Sequence, residues 1–200
     1  MKIKPEALLF DMDGVLVNSI NPWWKAFNES LKEYNKKQIS KKEFIDNFWG
    51  HDLKSNLDKM NLESKVLEFC NQAFKGYVKE IRVYQGVKNT LIKLSEYNKS
   101  VITNTPKSCT NEILNHTNLK KFFDIVFTND DVNLGKPNPE IVLKACRYFN
   151  SKPENVLLIG DTESDVKAGR QAGCKIAGIN LEDADYKIEN ISQILNIIEY

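Results

Sequence analysis

The chain has no run of apolar residues approaching the ~20 needed to span a bilayer, so no membrane helix is expected. Cysteine is scarce. Cys70, Cys109, Cys146 and Cys174 are widely spaced and form no C-x-x-C pair, which argues against a thiolate metal site or a disulfide framework and for reduced thiols in the cytosol. There are only two histidines, and they do not cluster with the cysteines. An excess of charge is missing too: 28 basic against 27 acidic side chains give a net +1. With both signs mixed along the chain, an electrostatic nucleic-acid or membrane partner is not expected. No small-residue cleavage site follows the opening MKIKPEALLFDMD, which turns acidic too early for a secretory signal. A cytoplasmic location is therefore expected. No internal repeat or low-complexity linker divides the 200 residues.

What is present suits one core with a small insertion. Hydrophobic residues make up 42% of the chain, enough for a real core. In the C-terminal part, strand signals (100–105, 122–128, 155–161, 174–180) alternate with helix signals (107–117, 139–149, 163–173, and a final helix over 191–200). Pro139 suits the first turn of the second helix and Gly173 the end of the third. This alternation predicts an α/β fold, a Rossmann-like parallel sheet with helices on both faces. Residues 17–85 show no convincing strand. Candidate helices run over 21–35, 41–49, 52–60 and 64–81, the last with Val66, Leu67, Cys70, Phe74, Tyr77, Val78 and Ile81 on one stripe. An all-α block is thus inserted after the first strand.

Functional residues gather where strands end. Open parallel sheets bind ligands outside the carboxyl ends of their strands. The first strand, Ala7-Leu8-Leu9-Phe10, runs straight into Asp11-Met12-Asp13-Gly14. The next ends in Thr103-Asn104. After the third come Thr128-Asn129-Asp130 and Gly135-Lys136-Pro137, and the fourth ends in Gly160-Asp161 with Asp165 one turn into the following helix. Buried carboxylates need a cation in front of them. Several of them without a Cys/His cluster suit a hard ion, most naturally Mg²⁺. A hydroxyl, backbone N–H groups at a helix start and a lysine suit a phosphoryl group. Together they predict phosphoryl transfer.

The order Asp11-x-Asp13-Gly14, Thr103-Asn104, Lys136-Pro137, Gly160-Asp161-x-x-x-Asp165 resembles the four motifs of the haloacid dehalogenase-like hydrolase superfamily. The helical block between the first two motifs looks like that superfamily's small α-helical cap, which implies a catalytic core of 1–16 and 87–200 and a cap of 17–86. The stretches VYQGVKNTLIKL (83–94) and LGKPNPEIVLKA (134–145) resemble the branch that contains phosphoglycolate phosphatases. The resemblance implies Asp11 as nucleophile and Asp13 as general acid/base. It implies Asp11, the Asp13 backbone carbonyl and Asp161 as metal ligands, and Asp165 as a second acid that either binds metal through water or orients Lys136. Thr103 and the backbone of Asn104 would hold phosphate, and Lys136 would neutralise developing charge. The substrate implied is a small phosphorylated metabolite, hydrolysed with Mg²⁺ through an aspartyl-phosphate.

Departures narrow the choice. The dehalogenase branch lacks the second aspartate, so Asp13 favours a phosphatase. The sugar-phosphate mutase branch carries a cap histidine twelve residues after its nucleophile, and Trp23 stands there in this chain. A mutase, a pyrophosphate or phosphonate hydrolase, and a non-catalytic binding protein are the alternatives. A phosphonatase would need a Schiff-base lysine in the cap, and a scaffold usually loses a motif residue. In the cap, Trp49, His51 and Lys54 around Gly50 are the candidates for touching the leaving group. The competing reading makes Trp49 a packing residue and faces His51 and Lys54 to solvent. Trp23 and Trp24 are adjacent and cannot both be buried on one helix face. The sequence carries no signal for oligomeric state.

Overall fold

The computed structural model describes residues 2–51, 53–60, 62 and 64–200, with the backbone alone at 53, 58, 59 and 64. Strand β1 (Ala7–Phe10) is buried throughout, as a strand with parallel neighbours on both sides must be. It pairs with β4 (Asn98–Ile102), Phe10 opposite Val101, and with β6 (Val156–Gly160), Phe10 opposite Ile159. Strands β5 (Ile125–Phe127), β7 (Lys175–Ile179) and β8 (Tyr186–Ile188) complete a six-stranded parallel sheet in the order β5-β4-β1-β6-β7-β8. The chain runs outward from β1 to β4 and β5, then crosses back to β6. The order therefore reverses between β1 and β6, where such sheets form their ligand crevice.

The period-2 pattern of β1 decides which face each side chain serves. Leu8 and Phe10 join one apolar cluster, Ala7 and Leu9 the other. The second is closed by helices α7 (Glu140–Tyr148) and α8 (Glu163–Ala172) through Ile141, Val142, Ala145 and Ala168. The first is closed by α5 (Val87–Lys93), α6 (Lys107–Thr117) and the short α9 (Ile194–Ile197).

That first cluster continues without a break into the inserted helices α1 (Ile20–Glu33), α2 (Lys41–Asn47), α3 (Leu53–Lys59) and α4 (Ser64–Tyr77). Trp23 of α1 stacks on Phe74 of α4, ring centroids 3.8 Å apart. Phe27 meets Phe44 and Phe48 at 5.6 and 5.2 Å. Ser40 caps α2 by accepting from the Glu43 N–H. The chain enters and leaves the block through a two-stranded antiparallel ribbon, β2 (Val17–Asn18) with β3 (Arg82–Val83).

Most elements fall where the periodicity predicts them. The final helix expected over 191–200 does not. A 3₁₀ turn over Ile191–Gln193 and one turn of α9 end at Ile198, which bridges to Ile3. The Ile3 N–H donates to the Ile197 carbonyl and the Glu199 N–H to Ile3. Pairing with the N-terminal segment satisfies backbone groups that a continued helix would otherwise use. The fourth helix is also shorter than expected: α4 ends at Tyr77 and a 3₁₀ turn covers Val78–Glu80. The third expected helix is α3, and Asp52, expected to open it, lies outside the described residues. Strands β2, β3 and β8 and helix α5 are additional to the sequence reading; strands of two or three residues are too short to show a period. Among the described residues no helix is long and apolar enough to cross a membrane. All four cysteines are free and buried.

Candidate active site

Asp11 continues β1 by one ladder bond, its N–H on the Ile159 carbonyl at 2.9 Å. The chain then folds tightly, with Leu16 and Val17 donating to the Met12 carbonyl and Gly14 to Val17. Gly14 has φ +90°, and a Cβ there would lie 1.9 Å from Asp161 Oδ2. Only glycine fits both the backbone and the space. Asp11 and Asp13, two residues apart, consequently line the same cavity.

Lys136 is the hub. It is 3% exposed, and its ammonium donates to Asp11 Oδ1 at 2.8 Å, Asp165 Oδ1 at 2.7 Å and the Ile102 carbonyl at 3.1 Å. All three of its protons are used. Its own burial works to deprotonate it, but the charges of Asp11 and Asp165 outweigh that and raise its pKa. Asp165 also closes α8: its Oδ2 accepts from the Thr162 N–H and hydroxyl in a capping box. Both carboxylate oxygens of Asp165 are thus engaged within the protein.

Asp13 is surrounded by donors. Ser19 donates to Oδ1. Thr105 donates to Oδ2 at 2.7 Å, and Thr103 Oγ1 lies 3.4 Å from the same oxygen. Burial raises the Asp13 pKa, and the side chains of Ser19, Thr105 and Trp23 oppose the rise.

Asp11, Asp161 and Asp165 each present an oxygen within 4.8 Å of the others. Burial pushes the Asp11 carboxyl up to about 7, with Lys136 opposing and Asp165 and Asp13 adding to the rise. Burial, then the neighbouring charges of Asp11 and Asp165, holds Asp161 well above the usual carboxylate range. Asp161 Oδ1 is buried without a partner among the described residues. Four carboxylates facing one ammonium, one of them with an orphaned oxygen, is a donor set that fits a hard divalent cation.

The loop after α2 sits over these strand ends. The Trp49 indole N–H points at Asp161 Oδ2 from 3.5 Å. The Asn104 amide reaches the Gly50 carbonyl at 3.3 Å. Gly50 has φ +81°, and a Cβ there would meet Thr162 Cγ2 at 2.8 Å. Between loop and sheet lies a cavity of about 600 Å³ including its mouth. Asp11, Asp13, Thr103, Asn104 and Lys136 line its floor, with Trp49 and His51 on the helical side. Lys54, expected to touch the leaving group, is exposed on α3 and does not line the cavity; Asn56 and Leu57 are the buried side chains of that turn. Trp23 lines the cavity, whereas Trp24 donates to the Ile39 carbonyl inside the helical block.

Ser19, Thr105 and Asn56 belong to the site and escape sequence reasoning. Thr105 could be found from its position two residues beyond Thr103 on the same strand end. Ser19 and Asn56 carry no local signal, since only the fold brings Ser19 to Asp13 and Asn56 to the cavity.

The model of the haloacid dehalogenase-like hydrolase family matches residues 8–179. The chain is 29% identical to the pyrophosphatase PpaX of Bacillus cereus, over 98% of this chain and 97% of that protein. Among solved structures it resembles a protein assigned as a phosphoglycolate phosphatase from Lactobacillus plantarum, with TM-score 0.88, 20% identity and coverage of 98% and 100% of the two chains. It also resembles CbbY from Rhodobacter sphaeroides in complex with phosphate, with TM-score 0.86, 18% identity and 96% of each chain covered. At these identities the two structures speak for the fold.

Proposed function

Because the chain belongs to the haloacid dehalogenase-like hydrolase family, we propose that it hydrolyses small phosphate monoesters with Mg²⁺ through an aspartyl-phosphate on Asp11. One observation carries the reading: Asp11 and Asp13 share a cavity floor whose lysine is locked between Asp11 and Asp165.

In this reading an Asp11 oxygen attacks phosphorus as the bond to the leaving oxygen breaks, and Asp13 delivers the proton that the leaving alcohol needs. Its raised pKa suits that first task. Asp13 then takes a proton from water as the water displaces Asp11 and releases phosphate. Thr103 and the Asn104 backbone hold the phosphoryl oxygens, and Lys136 balances charge that develops on the transferring group. Asp11, the Asp13 carbonyl and Asp161 would hold Mg²⁺, whose chemistry is to neutralise phosphate charge and fix the line of attack. Asp165, with both oxygens already bonded, acts through Lys136 and not as a direct ligand. Residues 17–86 form the cap and residues 1–16 with 87–200 the core. Trp49 and His51 are the cap residues assigned to the leaving group. Four free, buried thiols suit a reducing compartment, and the cytosol is the location we assign.

Pyrophosphate hydrolysis is the second reading, favoured by the similarity to PpaX over nearly the whole chain. Mutase activity is disfavoured, since Trp23, where that branch carries histidine, is packed on Phe74. A scaffold role is disfavoured by the motif residues, which are complete.

Rapid-quench labelling with a phosphate-labelled aryl monoester tests the reading. Label should map to Asp11, vanish in Asp11→Asn, and form but discharge slowly in Asp13→Asn when the leaving group needs little protonation. General acid/base loss should slow hydrolysis roughly 10²–10⁴-fold. Label on any other residue would falsify the assignment.

A further inference from the structure

Asn56 is an anomaly in an otherwise apolar wall. It is 4% exposed, lines the cavity, and stands among Trp23, Phe27, Phe44, Phe48 and Trp49. Its Nδ2 donates to the Phe48 carbonyl at 2.8 Å. That bond fixes which end of the amide is which, since the flipped amide would set two acceptors against each other. The remaining end, Oδ1, is buried with no partner among the described residues. A buried amide oxygen left unpaired costs about 1–3 kcal/mol. The Phe48 carbonyl accounts for Nδ2 but not for Oδ1, so the remaining acceptor calls for a ligand donor.

The surroundings define what carries that donor. Five aromatic rings line the cavity with Asn56, and aromatic walls take flat, largely apolar groups. Among the described residues lining the cavity, Lys136 is the only lysine or arginine, and Asp11, Asp165 and the Ile102 carbonyl occupy its ammonium. His51, at the rim, is the other basic side chain there. A second phosphate or a carboxylate on the leaving group would enter this apolar chamber against Asp11 and Asp13, without a guanidinium or spare ammonium to meet it.

We propose that Asn56 is a specificity-determining residue whose Oδ1 accepts a hydrogen bond from a hydroxyl or N–H on the leaving group. The favoured substrates are then monoesters of flat, largely apolar alcohols bearing one donor and no second anion. This deepens the monoester reading and rests on it.

The test compares hydroxybenzyl phosphates, substituted at the meta or para position, with their methyl ethers, and both with pyrophosphate and phosphoglycolate. The parent enzyme should turn over at least one hydroxybenzyl ester about tenfold faster in kcat/KM than its ether, the value of one hydrogen bond. Both anionic substrates should lie below the ethers. Asn56→Leu should abolish the preference, slowing the hydroxy ester about tenfold more than the ether. The substrate comparison on the parent needs no variant to fold. Equal kcat/KM for every ester–ether pair overturns the role of Asn56 while leaving phosphatase activity intact, and so does a preference for pyrophosphate or phosphoglycolate. No turnover of any monoester, alongside turnover of pyrophosphate, overturns the monoester reading itself.

Discussion

Asn104 holds Lys136 by both backbone groups of that residue: its Oδ1 accepts from the Lys136 N–H and its Nδ2 donates to the Lys136 carbonyl, each at 2.8 Å. A primary amide offers one acceptor and two donors and so matches a backbone residue. The end of β4 thereby fixes the lysine's backbone, while Asp11 and Asp165 fix its ammonium. The second Nδ2 donor faces the Gly50 carbonyl, so one side chain ties the sheet, the lysine loop and the helical block together.

Removing this clamp should cost rate more than affinity. Asn104→Ala leaves the N–H and the carbonyl of the buried Lys136 unpaired, each worth about 1–3 kcal/mol. We expect kcat on a generic aryl phosphate to fall roughly 10–100-fold with a small change in KM. Asn104→Asp keeps the acceptor but turns an oxygen on the Lys136 carbonyl, so it should recover little of the loss. Steady-state kinetics, with circular dichroism to verify folding, decides the matter. A variant within twofold of the parent would mean that Lys136 needs no such support.

The acidic cluster should make the fold itself respond to Mg²⁺. A ligand at a hundred times its dissociation constant stabilises by about 2.7 kcal/mol, which in a chain of this size raises Tm by roughly 5–10 °C. Asp161→Asn should abolish that rise. It should also make the metal-free protein more stable than the metal-free parent, because it removes one of several buried like charges whose burial and neighbours already disfavour ionisation. Differential scanning fluorimetry with chelator and with Mg²⁺ reads both effects without any substrate. An undiminished Mg²⁺ shift in Asp161→Asn would take this residue out of the metal site.

The legible parts of this protein are those with a period or a fixed chemical pattern. Strand β1 is readable because four apolar residues run into two aspartates, and α8 because Gly173 marks its end, where the structure has φ +91°. The floor residues Asp11, Asp13, Thr103, Asn104 and Lys136 are readable because each follows a strand end, and parallel strands bring those ends to one edge. The side chain of Asn104 was less so: as a strand-end residue it suggests phosphate, and only the fold shows its amide engaged with Lys136. Lys54 had two readings from the sequence, cavity or solvent, because a lysine near a loop suits either; it is exposed on α3. Ser19 reaches Asp13, and Asn56 the cavity, by the placement of helices that share no local pattern with the sheet. The C-terminal segment 191–200 has helical spacing, but its partner, Ile3, lies at the other end of the chain, beyond the reach of any local window.

The approach of the α2–α3 loop to the strand ends depends on Gly50, and this gives the last test. Its φ of +81° costs any other residue about 1 kcal/mol or more, and the added methyl would press on Thr162 Cγ2 at 2.8 Å. Gly50→Ala should therefore push the loop away from the sheet. It should also part Trp49 from Asp161 and Asn104 from the Gly50 carbonyl, bonds of 3.5 and 3.3 Å that hold the loop down. With its cover displaced, the cavity admits water and loses its grip on the leaving group. We expect KM to rise and kcat/KM to fall roughly tenfold on aryl monoesters, while Tm drops only a few degrees because the change is confined to a surface loop. Trp49→Phe separates the two causes, since it keeps the ring and removes only the N–H aimed at Asp161. If the aromatic cover matters, Trp49→Phe stays near the parent and Trp49→Ala resembles Gly50→Ala. If Gly50→Ala and Trp49→Ala both keep the parental KM, the loop does not cover the substrate.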